Sequence, residues 1–164
     1  MIRIELAPET FPKEELEKRL KENSIFTNRY AGEYFSHSGF STDKAERCSI
    51  VIASLREIGL EDGATLDMIR EHISGTDLKV CPANTGLFLR IAWKEQAQSS
   101  NSVLNGTHQA PDQAVTVFSE LLERRDDFPK GLYLRIVDGK LWLRGYVCDA
   151  DYSFTSEAMF AFLA

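Results

Sequence analysis

The sequence predicts an α+β fold, a mainly antiparallel β-sheet of about five or six strands with about three helices packed on one face. Three observations carry that expectation. Two alternating runs flank Asp138-Gly139 in GLYLRIVDGKLWLRG, residues 131–145. An Asp-Gly pair between such runs is a strong short-range signal for a tight hairpin. Three other segments combine helix-start chemistry with apolar residues three or four apart. Finally, 43% hydrophobic and 27% charged residues describe a globular chain, and no linker interrupts it, so a single domain over 1–164 is expected.

Taken in order, Ile2, Ile4 and Leu6 alternate with Arg3 and Glu5, a short strand. Pro12 opens a helix reaching about Asn23, because proline suits a first-turn position and Glu14 and Glu15 favour the positive end of the helix. Its stripe is thin, only Leu16 and Leu20, which places it on the surface. Residues 24–41 hold Phe26, Tyr30, Tyr34, Phe35 and Phe40 without a period; such a segment packs over a core edge or walls a pocket. Asp43-Lys-Ala-Glu46 resembles a capping box. Ala45, Cys48, Val51 or Ile52, Leu55 and Ile58 then recur at helical spacing, predicting a helix over 43–58 that ends at Gly59. Thr65 caps a further helix with Leu66, Ile69 and Ile73 inward, stopped by Ser74-Gly75.

From Leu78 the pattern reads as period two. Leu87, Leu89, Ile91 and Trp93 face one way and Phe88, Arg90, Ala92 and Lys94 the other, predicting a strand. Residues 95–113 are polar and long for a loop in a compact domain. Ala114 to Leu122 fits helix or strand, and Val115-Thr-Val117 favours strand. A turn at Asp126-Asp-Phe-Pro129 leads to the hairpin, and Met159 to Leu163 closes the chain as a strand.

A two-residue hairpin loop pairs Val137 with Lys140, Ile136 with Leu141, Arg135 with Trp142, Leu134 with Leu143 and Tyr133 with Arg144. One face then carries only leucines and isoleucine; the other carries two crossed arginine–aromatic pairs. Thr85-Gly-Leu-Phe-Leu-Arg-Ile91 echoes Lys130-Gly-Leu-Tyr-Leu-Arg-Ile136. If both are strands of one sheet in the same sense, Phe88 and Arg90 join Tyr133, Arg135, Trp142 and Arg144 on one candidate binding face. Guanidinium over aromatic stabilises a bare sheet, so a purely structural role is the competing reading. The functional reading is an anion- or carboxylate-recognising surface, since arginine offers a planar bidentate fork and, with aromatics, anchors interfaces.

A net charge of −6 repels phosphate backbones, so no nucleic acid is expected and a basic protein partner is electrostatically easier. The predicted helix at 66–74 carries Asp67 and Glu71 against Arg70, unlike a recognition helix. Acids near the amino end and no apolar run of about 20 residues argue against a signal peptide, a membrane span or any membrane association. Asn105-Gly-Thr107 matches a glycosylation sequon, read as chance without such a signal. Cys48, Cys81 and Cys148 are odd in number and widely spaced, which suits a reducing, cytoplasmic setting.

No cofactor or metal is expected. No two Cys or His residues lie at zinc-site spacing, and Asp149 to Glu157 lacks the glycine of a calcium loop, having Phe154 there. Cysteine chemistry needs a base, and His37, His72 and His108 are candidates that the sequence places beside no thiol.

The order Gly59-Leu-x-Asp62-Gly-Ala-Thr65, Cys81-Pro82, Leu-x-Leu-Arg90, Trp142-Leu-x-Gly145 and a terminal Phe-x-Phe resembles small bacterial hypothetical proteins of unknown function, over residues 40–163. The resemblance implies a bacterial cytosolic origin and no mechanism. The expectation is therefore a non-enzymatic binding protein, of immunity or inhibitor type, using the arginine–aromatic face, alone or with the 95–113 loop, against a protein partner. The alternative is a small enzyme with a Cys/His site under the aromatic segment 26–40.

Overall fold

A computed structural model describes residues 1–100 and 112–164. Most of the predicted 95–113 loop, His108 and the Asn105 sequon thus lie outside the described residues. The strands are β1 (Ile2–Leu6), β2 (Ile25–Thr27), β3 (Cys48–Ser54), β4 (Val115–Val117), β5 (Gly131–Val137), β6 (Lys140–Tyr146) and β7 (Met159–Leu163). The helices are α1 (Leu16–Glu22), α2 (Arg29–Ser36), α3 (Leu66–Ile73) and α4 (Thr85–Ala92). All seven strands form one sheet in the order β1-β3-β7-β4-β5-β6-β2. The class is α+β, as expected. The sheet is mostly antiparallel yet mixed, because β4 runs parallel to β7 and β2 parallel to β6.

Alternation along the strands separates two cores. On one face Ile50, Ile52, Val115, Val117, Leu132, Leu134, Leu143 and Ala161 pack against α1, α2 and α4. On the other, Phe160 and Phe162 of β7 meet Ile69 and Ile73 of α3, with Leu55, Phe118 and Phe154 closing the cluster. Each fully buried large side chain here contributes about 1.5–3 kcal/mol. Three helices do cover the Leu/Ile face, but they are not the expected three, and α3 lies opposite.

Two predicted elements change type. The helix expected over 43–58 is absent; β3 occupies 48–54 between β1 and β7. Ile50, Val51, Ile52 and Ala53 are all buried. A central strand covered on both sides loses its period-two signature, and its apolar run then mimics a helical stripe. The strand expected through 87–94 is instead α4, buried all round from Thr85 to Arg90. Thr85 N–H donates to the Pro82 carbonyl, and Asn84 occupies the N-cap position without a side-chain capping bond, its Nδ2 donating to the Ser41 and Lys44 carbonyls instead. Gly86 lets the helix approach the sheet: a Cβ there would meet the Leu132 Cβ at 3.1 Å.

The aromatic segment 24–41 is ordered rather than irregular. The Asn28 side chain explains much of this. Its Oδ1 accepts from Ala31 N at 2.9 Å, capping α2, and from Gly145 N at 2.8 Å. Its Nδ2 donates to the Gly145 carbonyl at 3.0 Å. One residue thereby extends the β2–β6 ladder and seats α2 on β6. That seat admits no Cβ at Gly145, which would fall 2.6 Å from the Tyr30 carbonyl carbon.

Candidate binding face on the carboxyl-terminal hairpin

The hairpin register matches the sequence reading at all five pairs, from Val137↔Lys140 to Tyr133↔Arg144. Asp138 and Gly139 both take positive φ, 51° and 75°, as a two-residue primed turn requires. Leu132, Leu134, Ile136 and Leu143 are buried. Tyr133, Trp142 and Arg144 emerge half-exposed on the opposite face.

Those three side chains interlock. Arg144 Nε donates to the Tyr133 hydroxyl at 2.9 Å, and its guanidinium stands 5.2 Å from the Trp142 ring centroid. Strand β2 extends the array, because Phe26 is in register with Trp142 and their rings lie 5.4 Å apart. Phe26 is 44% exposed. Lys140 Nζ sits 5.5 Å from its ring. At the other end Tyr133 makes an edge contact with Tyr146, 6.4 Å between centroids. Neither Arg144 nor Lys140 has an acidic partner among the described residues. The result is a strip of aromatic rings with two cations that have no counter-ion among the described residues.

Three of the six expected site residues are placed elsewhere or lie deeper. Phe88 and Arg90 sit on α4, beneath the Leu/Ile face, because their segment is helical. Phe88 packs edge-on against Phe11 at 6.1 Å. Arg90 is fully buried. It donates to Gln96 Oε1 at 2.7 Å, to the Arg135 carbonyl at 3.4 Å and to the Trp93 carbonyl. Burial pulls its guanidinium down to about 10, leaving it cationic at neutral pH. Arg135 points to the expected face but is 0% exposed, and burial lowers its pKa as well. Phe26 and Lys140 were not singled out from sequence. Lys140 follows from hairpin alternation with Trp142, whereas a three-residue parallel strand leaves no sequence signal for Phe26.

The described histidines, His37 and His72, and the thiols are arranged differently from an activated pair. His37 Nε2 lies 3.1 Å from Glu123 Oε1, while its Nδ1 accepts from Gly39 N at 2.9 Å. Both ring nitrogens are engaged, so neither is free to take a substrate proton. His72 Nε2 meets the Ile58 carbonyl. Burial is the leading cause that raises all three thiols, Cys81 to about 12, opposite to what a nucleophile needs. Cys48 and the α4 start line a cleft of about 560 Å³. No group of three or more His, Cys, Asp or Glu among the described residues could hold a metal ion, and no described helix is long and apolar enough to cross a membrane.

No protein-family model, curated protein or solved structure matches this chain.

Proposed function

We propose that this is a non-enzymatic binding protein whose contact surface is the strip Phe26, Tyr133, Trp142 and Arg144 with Lys140. The observation that carries this reading is Arg144. Its Nε is held by Tyr133 and its guanidinium stands over Trp142, so the side chain is oriented before any partner arrives and makes no ion pair with an acid among the described residues. A pre-oriented guanidinium loses less entropy on binding and favours a planar carboxylate. The partner is a protein presenting an acidic side chain or chain terminus flanked by apolar groups. Beyond the strip, the net charge of −6 favours a basic rim on that partner, the complementarity that immunity and inhibitor proteins use. Free thiols at all three cysteines support a reducing, cytoplasmic setting.

The His37–Glu123 contact favours the enzyme reading as a second possibility. It is weaker support, since Gly39 N–H blocks the other ring nitrogen and neither His37 nor Glu123 lines the cleft.

The test compares the wild type with Trp142→Ala/Arg144→Ala as baits in the native host, partners being identified by mass spectrometry. Both residues are half-exposed, so the double variant keeps its fold, checked by thermal unfolding. A partner bound by the wild type and lost by at least about tenfold in the variant supports the reading, as removing an interface anchor costs about 2 kcal/mol. Equal capture by a folded double variant rejects it.

A further inference from the structure

We propose that the chain pairs with a second copy of itself along the open edge of β1, joining two sheets across a two-fold axis at Ile4. β1 ends the strand order, and no described strand lies beyond it. Which of its backbone groups face outward follows from the register. Ala164 N–H donates to the Ser49 carbonyl, so Ser49 turns its main chain towards β7. Glu5 stands opposite Ser49 and therefore belongs to a non-hydrogen-bonded pair, since the two kinds of pair alternate along an antiparallel ladder. The N–H and C=O of Glu5, and by the same alternation those of Arg3, point away from the sheet. These four groups have no backbone partner among the described residues.

The strand's own sequence selects the occupant. Laid antiparallel on a copy of itself about Ile4, Ile-Arg-Ile-Glu-Leu sets Arg3 opposite the partner's Glu5, and Glu5 opposite the partner's Arg3. These are the positions whose outward backbone groups meet as hydrogen-bonded pairs, so main chain and charge select one register. Arg3 and Glu5 are exposed, and neither makes an ion pair among the described residues; Arg3 Nη1 reaches the Ser49 hydroxyl at 3.0 Å. On the other face Ile4 meets the partner's Ile4, and Ile2, 45% exposed, meets the partner's Leu6. The strand has neither proline nor a bulge to blunt its edge, its register with β3 running unbroken from Ile2 to Leu6. The opposite edge, β2, is only three residues long and carries no charge. The contact is isologous, as a closed dimer requires.

Analytical ultracentrifugation of the full chain over a concentration series tests the pairing. One strand pair makes a small interface, so a reversible dimer with Kd between about 1 and 100 μM is expected. Arg3→Glu and Glu5→Arg each place like charges opposite one another twice per dimer, and each should weaken association at least about tenfold. An equimolar mixture of those two variants restores opposite charges at both pairs and should associate about as tightly as wild type. So should the double swap Arg3→Glu/Glu5→Arg. Both side chains are exposed, so every variant keeps its fold, checked by thermal unfolding. Trp142→Ala/Arg144→Ala should leave the dimer unchanged, which separates this edge from the hairpin strip. A chain monomeric up to about 1 mM would overturn the pairing and leave the edge to an extended segment of another protein. A dimer indifferent to both charge reversals, or one lost in Trp142→Ala/Arg144→Ala, would overturn it as well. A mixture of the two single variants that stays monomeric would exclude this register.

Discussion

Arg90 is a buried cation whose partners among the described residues are neutral. Its three hydrogen bonds end on an amide oxygen and two backbone carbonyls, one at the end of its own helix and one on β5. The residue ties α4, the Gln96 segment and the hairpin strand together. Gln96 completes the knot by donating to the Leu134 and Gln113 carbonyls at 2.9 and 2.8 Å. Arg90→Ala strands these acceptors and opens a void, and is expected to cost about 3–5 kcal/mol. Arg90→Met refills the volume and removes a buried charge, so its cost should stay near 1–2 kcal/mol. Urea unfolding of the two variants checks this; equal losses would show that the lost hydrogen bonds, not the volume, decide the site. Cys81 and Tyr34 make the alkaline prediction. Burial pushes each up to about 12, so the unfolded chain releases these protons first. Stability should be full below about pH 9 and fall as pH climbs towards 12. Cys81→Ala should flatten the first part of that fall in denaturant melts at stepped pH. An unchanged profile would mean that the thiol is not the group responsible.

At the level of elements, one sequence pattern takes two structures. Gly-Leu-Phe-Leu-Arg-Ile becomes α4 and Gly-Leu-Tyr-Leu-Arg-Ile becomes β5. The difference lies outside the pattern. Pro82-Ala-Asn84 starts a helical turn before the first copy, while Asp138-Gly139 returns the second copy onto a partner strand. Burial explains why the first was unreadable. Period two reports a strand with one wet face, and every residue from Thr85 to Arg90 is covered, so the alternation carried no information. β3 failed for the same reason. The hairpin was readable because one of its faces is half-exposed and its turn chemistry is specific. That also explains which site residues could be found. Tyr133, Trp142 and Arg144 follow from alternation alone, whereas alternation assigns Arg135 a face without saying what covers it. The α2–β6 seat gives the sharpest test at this scale. Gly145→Ala meets backbone atoms of Tyr30 and Ala31 that cannot yield, and should cost about 3 kcal/mol or prevent folding. Gly86→Ala meets only side-chain atoms, and its gain in helix propensity of about 1 kcal/mol should leave stability near wild type. Thermal unfolding distinguishes them; near-equal melting temperatures would contradict the packing described for α2.

Across the whole molecule, the sheet divides its labour by position. Its β3 and β7 strands are covered on both sides, with α3 over one face, while the β5, β6 and β2 end keeps one face for the aromatic strip. The cations of that strip sit on a protein of net charge −6, so association there should be specific rather than a general attraction to polyanions. Photo-crosslinking in the native host tests this most directly, with p-benzoylphenylalanine replacing Phe26 on the strip or Lys18 on the exposed side of α1. A discrete protein adduct from position 26, absent from position 18 and lost when Arg144→Ala is added, is the predicted result. An adduct from position 18 with none from position 26 would contradict the assignment of the hairpin face as the contact surface.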